Sequence, residues 1–122
     1  MPIITSFRDL VVWQKALTLA VSTHRVARRL PRDEQPVLGY QMRKSALSMP
    51  SNIAEGFSRR STAFYIQHLG TAHASGAELQ TQAEVAKELG VVGELEAQAL
   101  ITDAQEIGRM VFGLVGSLER GR

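Results

Sequence analysis

Apolar residues return every three or four positions along almost the whole chain, the period of an α-helix rather than a strand. In the first segment Leu10, Trp13, Leu17, Ala20, His24 and Ala27 make one stripe, and Val12, Ala16, Leu19, Val26 and Leu30 make a second beside it. A face that broad suits a helix turned toward a bundle core rather than toward a single partner. Asp9 near its start and Arg28 and Arg29 near its end complement the helix dipole, and Pro31 stops it. The polar connection Arg32-Asp33-Glu34-Gln35 leads to Pro36, placed for the first turn of a second helix. Its stripe is Leu38, Met42, Ala46, Met49, Ile53 and Phe57. Ser61 is a good N-cap for a third helix, whose stripe runs Tyr65, Leu69, Ala72, Gly76, Leu79, Ala83 and Ala86. Small residues in that stripe permit close helix approach, and Gly90 stands where a left-handed C-terminal cap belongs. A fourth helix starts near Gly93 and continues through Leu100, Ala104, Ile107, Val111, Leu114 and Leu118. Gly108, Gly113 and Gly116 predict that its end frays or leans on a neighbour.

No alternating strand pattern of useful length appears. Helices at roughly 8–30, 36–59, 61–89 and 93–119, joined by short connections, predict an all-α, antiparallel, up-down-up-down four-helix bundle. A chain of 122 residues is read as a single domain spanning 1–122. Proline inside a helix removes one hydrogen bond and crowds the carbonyl four residues back. Because the stripe passes Pro50 without a phase jump, the second helix is expected to be kinked there rather than broken. Ala46, four residues earlier, is small enough to ease the clash, and Ser48 and Ser51 are placed to bond the freed carbonyl. A break remains open, since Asn52 and Glu55 have capping-box spacing.

Composition narrows the setting. The chain has no cysteine, which removes disulfides and thiolate metal sites and fits a reducing compartment. The N-terminal sequence lacks the basic start and apolar run of a signal peptide, and no segment approaches the ~20 apolar residues of a membrane span. A cytoplasmic protein with no membrane contact is therefore expected. Formal net charge is only +2, but residues 1–60 hold ten Lys/Arg against four Asp/Glu while residues 61–122 hold four against eight. That asymmetry suits two readings: complementary faces meeting within or between subunits, or a basic face directed at nucleic acid.

Candidate chemistry concentrates between Gln41 and Ser61. Pro50, Ser51, Asn52, Ile53, Ala54, Glu55 and Gly56 read as a structural motif: a kink, a polar pair three residues apart, and a glycine for close helix contact beside Phe57. Glu55 is expected to pair with Arg43 or with the first helix, and Asn52 and Glu55 together to lock helix register. Arg43, Lys44, Arg59 and Arg60 bracket the motif, and Arg25, Arg28 and Arg29 add a second basic cluster; these seven are the candidate nucleic-acid contacts. Antiparallel packing would set residues 25–30 near the start of the second helix and away from Arg59 and Arg60, giving two patches. Few aromatics are available for base stacking, so backbone-dominated, salt-sensitive binding is expected. Trp13 reads as packing. His68 and His73 lie five apart, off the spacing that pairs two imidazoles on one helix face, and His24 stands alone. No nucleophile–histidine–acid arrangement or phosphate-cradling glycine loop is present, so no catalytic residue, metal or cofactor is assigned and enzymatic activity is not expected.

With the helices placed, FRDLVVWQKA at 7–16, the Leu30-Pro31 helix exit, LGYQMRKSALSMPSNIAEGFSRRS at 38–61, Tyr65, Leu69, SGAELQTQ at 75–82 and ELG at 88–90 resemble the 23S rRNA intervening-sequence protein family. The likeness covers roughly residues 7–90 in motif, and the fourth helix in pattern. PSNIAEG combined with the upstream WQKA is its specific part. The resemblance implies a four-helix bundle assembled as a homopentameric ring. A related branch, the accessory proteins of diversity-generating retroelements, implies RNA or DNA and a reverse transcriptase, or a ribosome-related protein, as partners. The expected function is therefore a non-enzymatic homo-oligomeric scaffold or adaptor engaging nucleic acid or a protein that handles it. The alternative is a purely protein-interacting or structural oligomer.

Overall fold

Residues 3–121 are described by the computed structural model, and four long helices carry them: α1 (Val11–Arg28), α2 (Tyr40–Ser58), α3 (Thr62–Glu88) and α4 (Glu94–Arg120). The described residues contain no strand, so the fold class is all-α. Consecutive helices pack on one another and α4 closes against α1; the α2–α3 seam is the most extensive of the four and the α1–α4 seam the leanest.

Helix ends follow local chemistry more closely than apolar period. A 3₁₀ turn, Phe7–Asp9, precedes α1. The Asp9 carboxylate accepts from the backbone N–H groups of Thr5 and Ser6, each at 3.1 Å, and Ser6 Oγ accepts from the Arg8 N–H at 3.2 Å. Asp9 thus closes that turn instead of serving the α1 dipole, and α1 begins at Val11. After α1 comes a 3₁₀ turn, Arg32–Glu34, then a π-helical turn, Gln35–Gly39, which contains Pro36 and runs directly into α2. Ser61 caps α3, its Oγ accepting from the Phe64 N–H at 3.4 Å. At the other end of α3, Gly90 adopts φ +72° while the Gly90 N–H bonds the Lys87 carbonyl and the Val91 N–H bonds the Ala86 carbonyl, the paired bonds of a Schellman cap. Despite its glycines, α4 stays helical to Arg120, because Leu114, Val115 and Leu118 rest on the core and supply the neighbour its end requires.

The core is narrower than the apolar faces that surround it. Leu19, Met42, Met49, Ile53, Leu69, Leu79, Ile107 and Val111 are fully enclosed, with alanines between them where the helices approach closely. Both stripes in α1 reach the core, one through Val12, Ala16 and Leu19 and the other through Ala20 and Ala27. Leu17, on the latter stripe, is 43% exposed, and Trp13 is half-buried, packing edge-on against Phe7 with ring centroids 5.2 Å apart. Helix α2 runs through Pro50, which is buried with Met49 and Ile53. No helix among the described residues is long and apolar enough to cross a membrane.

Candidate nucleic-acid interface

A ladder of polar contacts crosses the α2–α3 seam at the heart of the sequence motif. Gln82 Nε2 donates to Ser45 Oγ at 3.0 Å, Ser48 Oγ and Ser75 Oγ share a bond of 2.8 Å, and Asn52 Oδ1 lies 3.1 Å from His68 Nδ1. On α3 these partners fall seven residues apart, at 68, 75 and 82, so one face of the helix meets α2 at every second turn. Since Asn52 Nδ2 donates to the Ser48 carbonyl and to Ser48 Oγ, its Oδ1 is left to accept, which puts a proton on His68 Nδ1. Ser48 is thereby committed to Asn52 and Ser75 rather than to the carbonyl left without a donor by Pro50.

Beyond Asn52 the seam tightens. A Cβ built on Gly56 would lie 2.8 Å from His68 Cβ and 3.0 Å from Tyr65 Cδ1, so only glycine fits. Glu55 departs from the expected pairing. It sits half in solvent, 3.5 Å from Arg59 Nη2 and 4.0 Å from His68 Nε2, and reaches neither Arg43 nor α1. The reason is its position on α2, one turn before Arg59 on the side that faces α3. Of the two, Asn52 joins the polar ladder between the helices, and Glu55 serves the exposed end of α2. Ser51 is exposed, while Ile53 is enclosed and Ala54 partly so.

The seven basic candidates separate into two groups, at opposite ends of α2. Arg59 and Arg60 are exposed at its C-terminal end, where the Arg59 guanidinium lies 5.2 Å from the Phe64 ring centroid. Arg28 and Arg43 line a cavity of 540 Å³ at the other end, together with His24, Leu30, Arg32 and Gln35. Arg25 is exposed in the last turn of α1, and Arg29 is drawn away to α4, where it pairs with Glu96. Lys44 stands exposed with its Nζ 6.0 Å from the Tyr40 ring. Among the described residues, Arg25, Arg28, Arg32, Arg43, Lys44 and Arg60 have no carboxylate within ion-pair distance.

Acidic side chains populate the opposite half. Lys15 Nζ bonds Glu106 Oε1 at 2.8 Å across the α1–α4 seam, which holds the Lys15 pKa above and the Glu106 pKa below their ordinary values. Both groups are solvated, so the pair is a surface stitch rather than a source of much stability. Among the described residues no three His, Asp or Glu side chains converge on a point where a metal ion could sit. Sequence reasoning set His24 aside as isolated, read Arg32 and Gln35 only as a polar connection, and gave Gly39 no role. Nothing in the helical period says which carbonyls a glutamine will find.

Comparison with known proteins places this arrangement. Residues 8–113 match the profile of the family described as 23S rRNA-intervening sequence protein. A crystal structure of a protein of unknown function from the S23 ribosomal protein family of Bacteroides thetaiotaomicron superposes with a TM-score of 0.80. It is 24% identical, covering 86% of this chain and 98% of that one. No curated protein matches the chain.

Proposed function

The chain belongs to the 23S rRNA-intervening sequence protein family, and from that premise we propose that it is a non-enzymatic, homo-oligomeric scaffold whose basic surface engages RNA or a protein that handles nucleic acid. The observation that carries this reading is the segregation of charge. Unpaired arginines and Lys44 gather on α1, α2 and the turns between them, while eight carboxylates lie beyond residue 61. Cations without partners retain their full field toward solvent, and backbone phosphates are its natural complement. Within this proposal the bundle is antiparallel and up-down-up-down, with α2 bending at Pro50. Partner numbers that fall along α3 (82, 75, 68) as they rise along α2 (45, 48, 52) support it. A homopentameric ring in the cytoplasm completes the proposal. It follows the family resemblance and is supported by apolar side chains left outside the core, among them Leu17, Val21 and Leu47.

Retention of single-stranded RNA measured across a salt series tests the reading. Affinity is expected to fall steeply, by a slope of about 0.7 per phosphate neutralised. Charge reversal of Arg43, Lys44, Arg59 and Arg60 together is expected to abolish binding without changing helix content. Binding that ignores salt, or an unaffected variant, overturns the nucleic-acid role. A purely protein-interacting oligomer then becomes the better account, and the Arg29–Glu96 and Lys15–Glu106 pairs already favour charge matching between the two halves.

A further inference from the structure

The geometry points to a preorganised phosphate-binding pocket at the corner between α1 and α2, built around Arg43. Three cations, Arg28, Arg32 and Arg43, line this 540 Å³ cavity with His24, over a buried Leu30, and no carboxylate lines it. Asp33 and Glu34, in the same short turn as Arg32, stay outside the lining. The volume lies within the range of about 300–1,000 Å³ typical of small-ligand sites.

A pocket against the C-terminus of a helix ought to repel anions, because unpaired carbonyls make that end negative. Gln35 tempers that field. The two hydrogens of its Nε2 group are shared among the carbonyls of Ala27 (2.8 Å), Arg28 (3.2 Å) and Leu30 (3.0 Å), at and just beyond the end of α1. That commitment fixes the amide's orientation and turns Oε1 toward Arg43, whose Nη1 donates to it at 3.1 Å. Arg43 is thus half-buried and held, with four of its five N–H donors left to offer. A planar guanidinium fixed in this way matches two oxygens of a phosphate.

Two backbone features serve the same placement. The turn that carries Gln35 is a π-helical turn, a widened geometry found often at functional sites. Gly39 closes it, and a Cβ there would lie 3.1 Å from both Arg43 Nη1 and Gln35 Oε1. An added methyl group there obliges these two side-chain tips to give by a few tenths of an ångström, and a larger residue obliges them to give more. Gly39 and Gln35 are positioning residues, and Arg43, Arg28 and Arg32 are the binding ones.

The ligand is a phosphoryl group, whether part of a nucleic-acid backbone, in which case this site rests on the function proposed above, or of a free phosphorylated molecule. Arginine side-chain NMR signals, followed while inorganic phosphate is titrated against a chloride control of equal ionic strength, read the site directly. Phosphate is expected to shift Arg28, Arg32 and Arg43 selectively. Arg43→Lys keeps the charge but loses the fork, and Gly39→Ala keeps every cation but displaces Arg43. Each is expected to weaken phosphate binding roughly tenfold, the worth of about one charge-assisted hydrogen bond. Arg109→Glu, on α4 and outside the pocket lining, is expected to leave it unchanged. Uniform shifts that include Arg59, Arg60 and Arg109, or an Arg43→Lys protein that binds as the parent does, overturn the pocket. Single-stranded RNA separates the two carriers. RNA that competes with phosphate supports a backbone ligand. Phosphate binding with no RNA binding supports the pocket and sinks the nucleic-acid role. RNA binding indifferent to Arg43→Lys and to added phosphate, with no selective phosphate shift of Arg28, Arg32 and Arg43, sinks the pocket alone.

Discussion

Glycines of identical appearance in the sequence do opposite things in this fold. Gly56 lies where α2 and α3 touch, and an added methyl group would meet His68 Cβ at 2.8 Å and the Tyr65 carbonyl at 3.3 Å. Neither neighbour is the free tip of a flexible side chain, so the helices must separate. Gly56→Ala is therefore expected to destabilise the protein by about 1–3 kcal/mol in urea denaturation. Gly70, exposed on α3 with nothing within 4 Å of a built Cβ, carries only the entropic cost of glycine in a helix. Gly70→Ala is expected to stabilise by about 0.5–1 kcal/mol. If the two changes act alike, the close α2–α3 approach is wrong. Gly56 was legible beforehand as a contact glycine because it follows the polar pair and precedes Phe57. Asn52 was legible as a lock, but its partner was not: His68 is on another helix, and sequence spacing carries no information across helices. Glu55 was misassigned for the same reason, its true neighbours Arg59 and His68 being set by which way α2 turns its last exposed face.

At the scale of elements, the four helices were visible because each buries a continuous stripe, and a period of 3.6 survives any error in placing its ends. The ends obey different physics. Gly90 and Ser61 announced themselves, since a left-handed cap and an N-cap hydroxyl are properties of single residues. The π-turn at Gln35–Gly39 did not, because no single residue type specifies the wider backbone hydrogen bonding of such a turn. The start of α1 also shifted, since Asp9 found the N–H groups of Thr5 and Ser6 before it could serve the helix. Those two bonds favour the ionised carboxylate and hold the Asp9 pKa below its ordinary 3.8. A depressed folded value stabilises the turn fully above the ordinary value, and the contribution disappears as pH falls through the lower folded one. The Asp9 carboxyl carbon should accordingly titrate in NMR with a midpoint below 3.8. Asp9→Asn should lose the acid dependence of the amide signals of Thr5 and Ser6. A midpoint at or above the ordinary value would remove the capping role.

The whole molecule presents a basic half, an apolar strip and an acidic half in a chain whose core does not use all of its hydrophobic surface. His24 and Arg28 of α1 and Arg43 of α2 line one cavity, so these stripes of the two helices flank a common groove. One turn further along the same stripes stand Val21 and Leu47, and two turns along stands Leu17, all between 42% and 54% exposed. Isolated exposed apolar residues are ordinary on any protein, but a row along a groove beside a charged patch is the make-up of an interface. A basic half cannot pair with itself without repulsion, which disfavours a twofold contact that sets like surfaces together. The same half would meet the acidic side of a second copy without repulsion, and head-to-tail contacts of that kind generate rings where the rotation closes. Light scattering is expected to give a mass that is a multiple of 13.4 kDa, five times that value for the pentamer. Val21→Asp with Leu47→Asp should reduce it to a single chain while helix content is retained, since neither side chain belongs to the core. High salt should loosen the same assembly if charge matching sets its polarity. A monomer at every concentration would refute ring assembly, and an intact oligomer in the double variant would move the interface to another face.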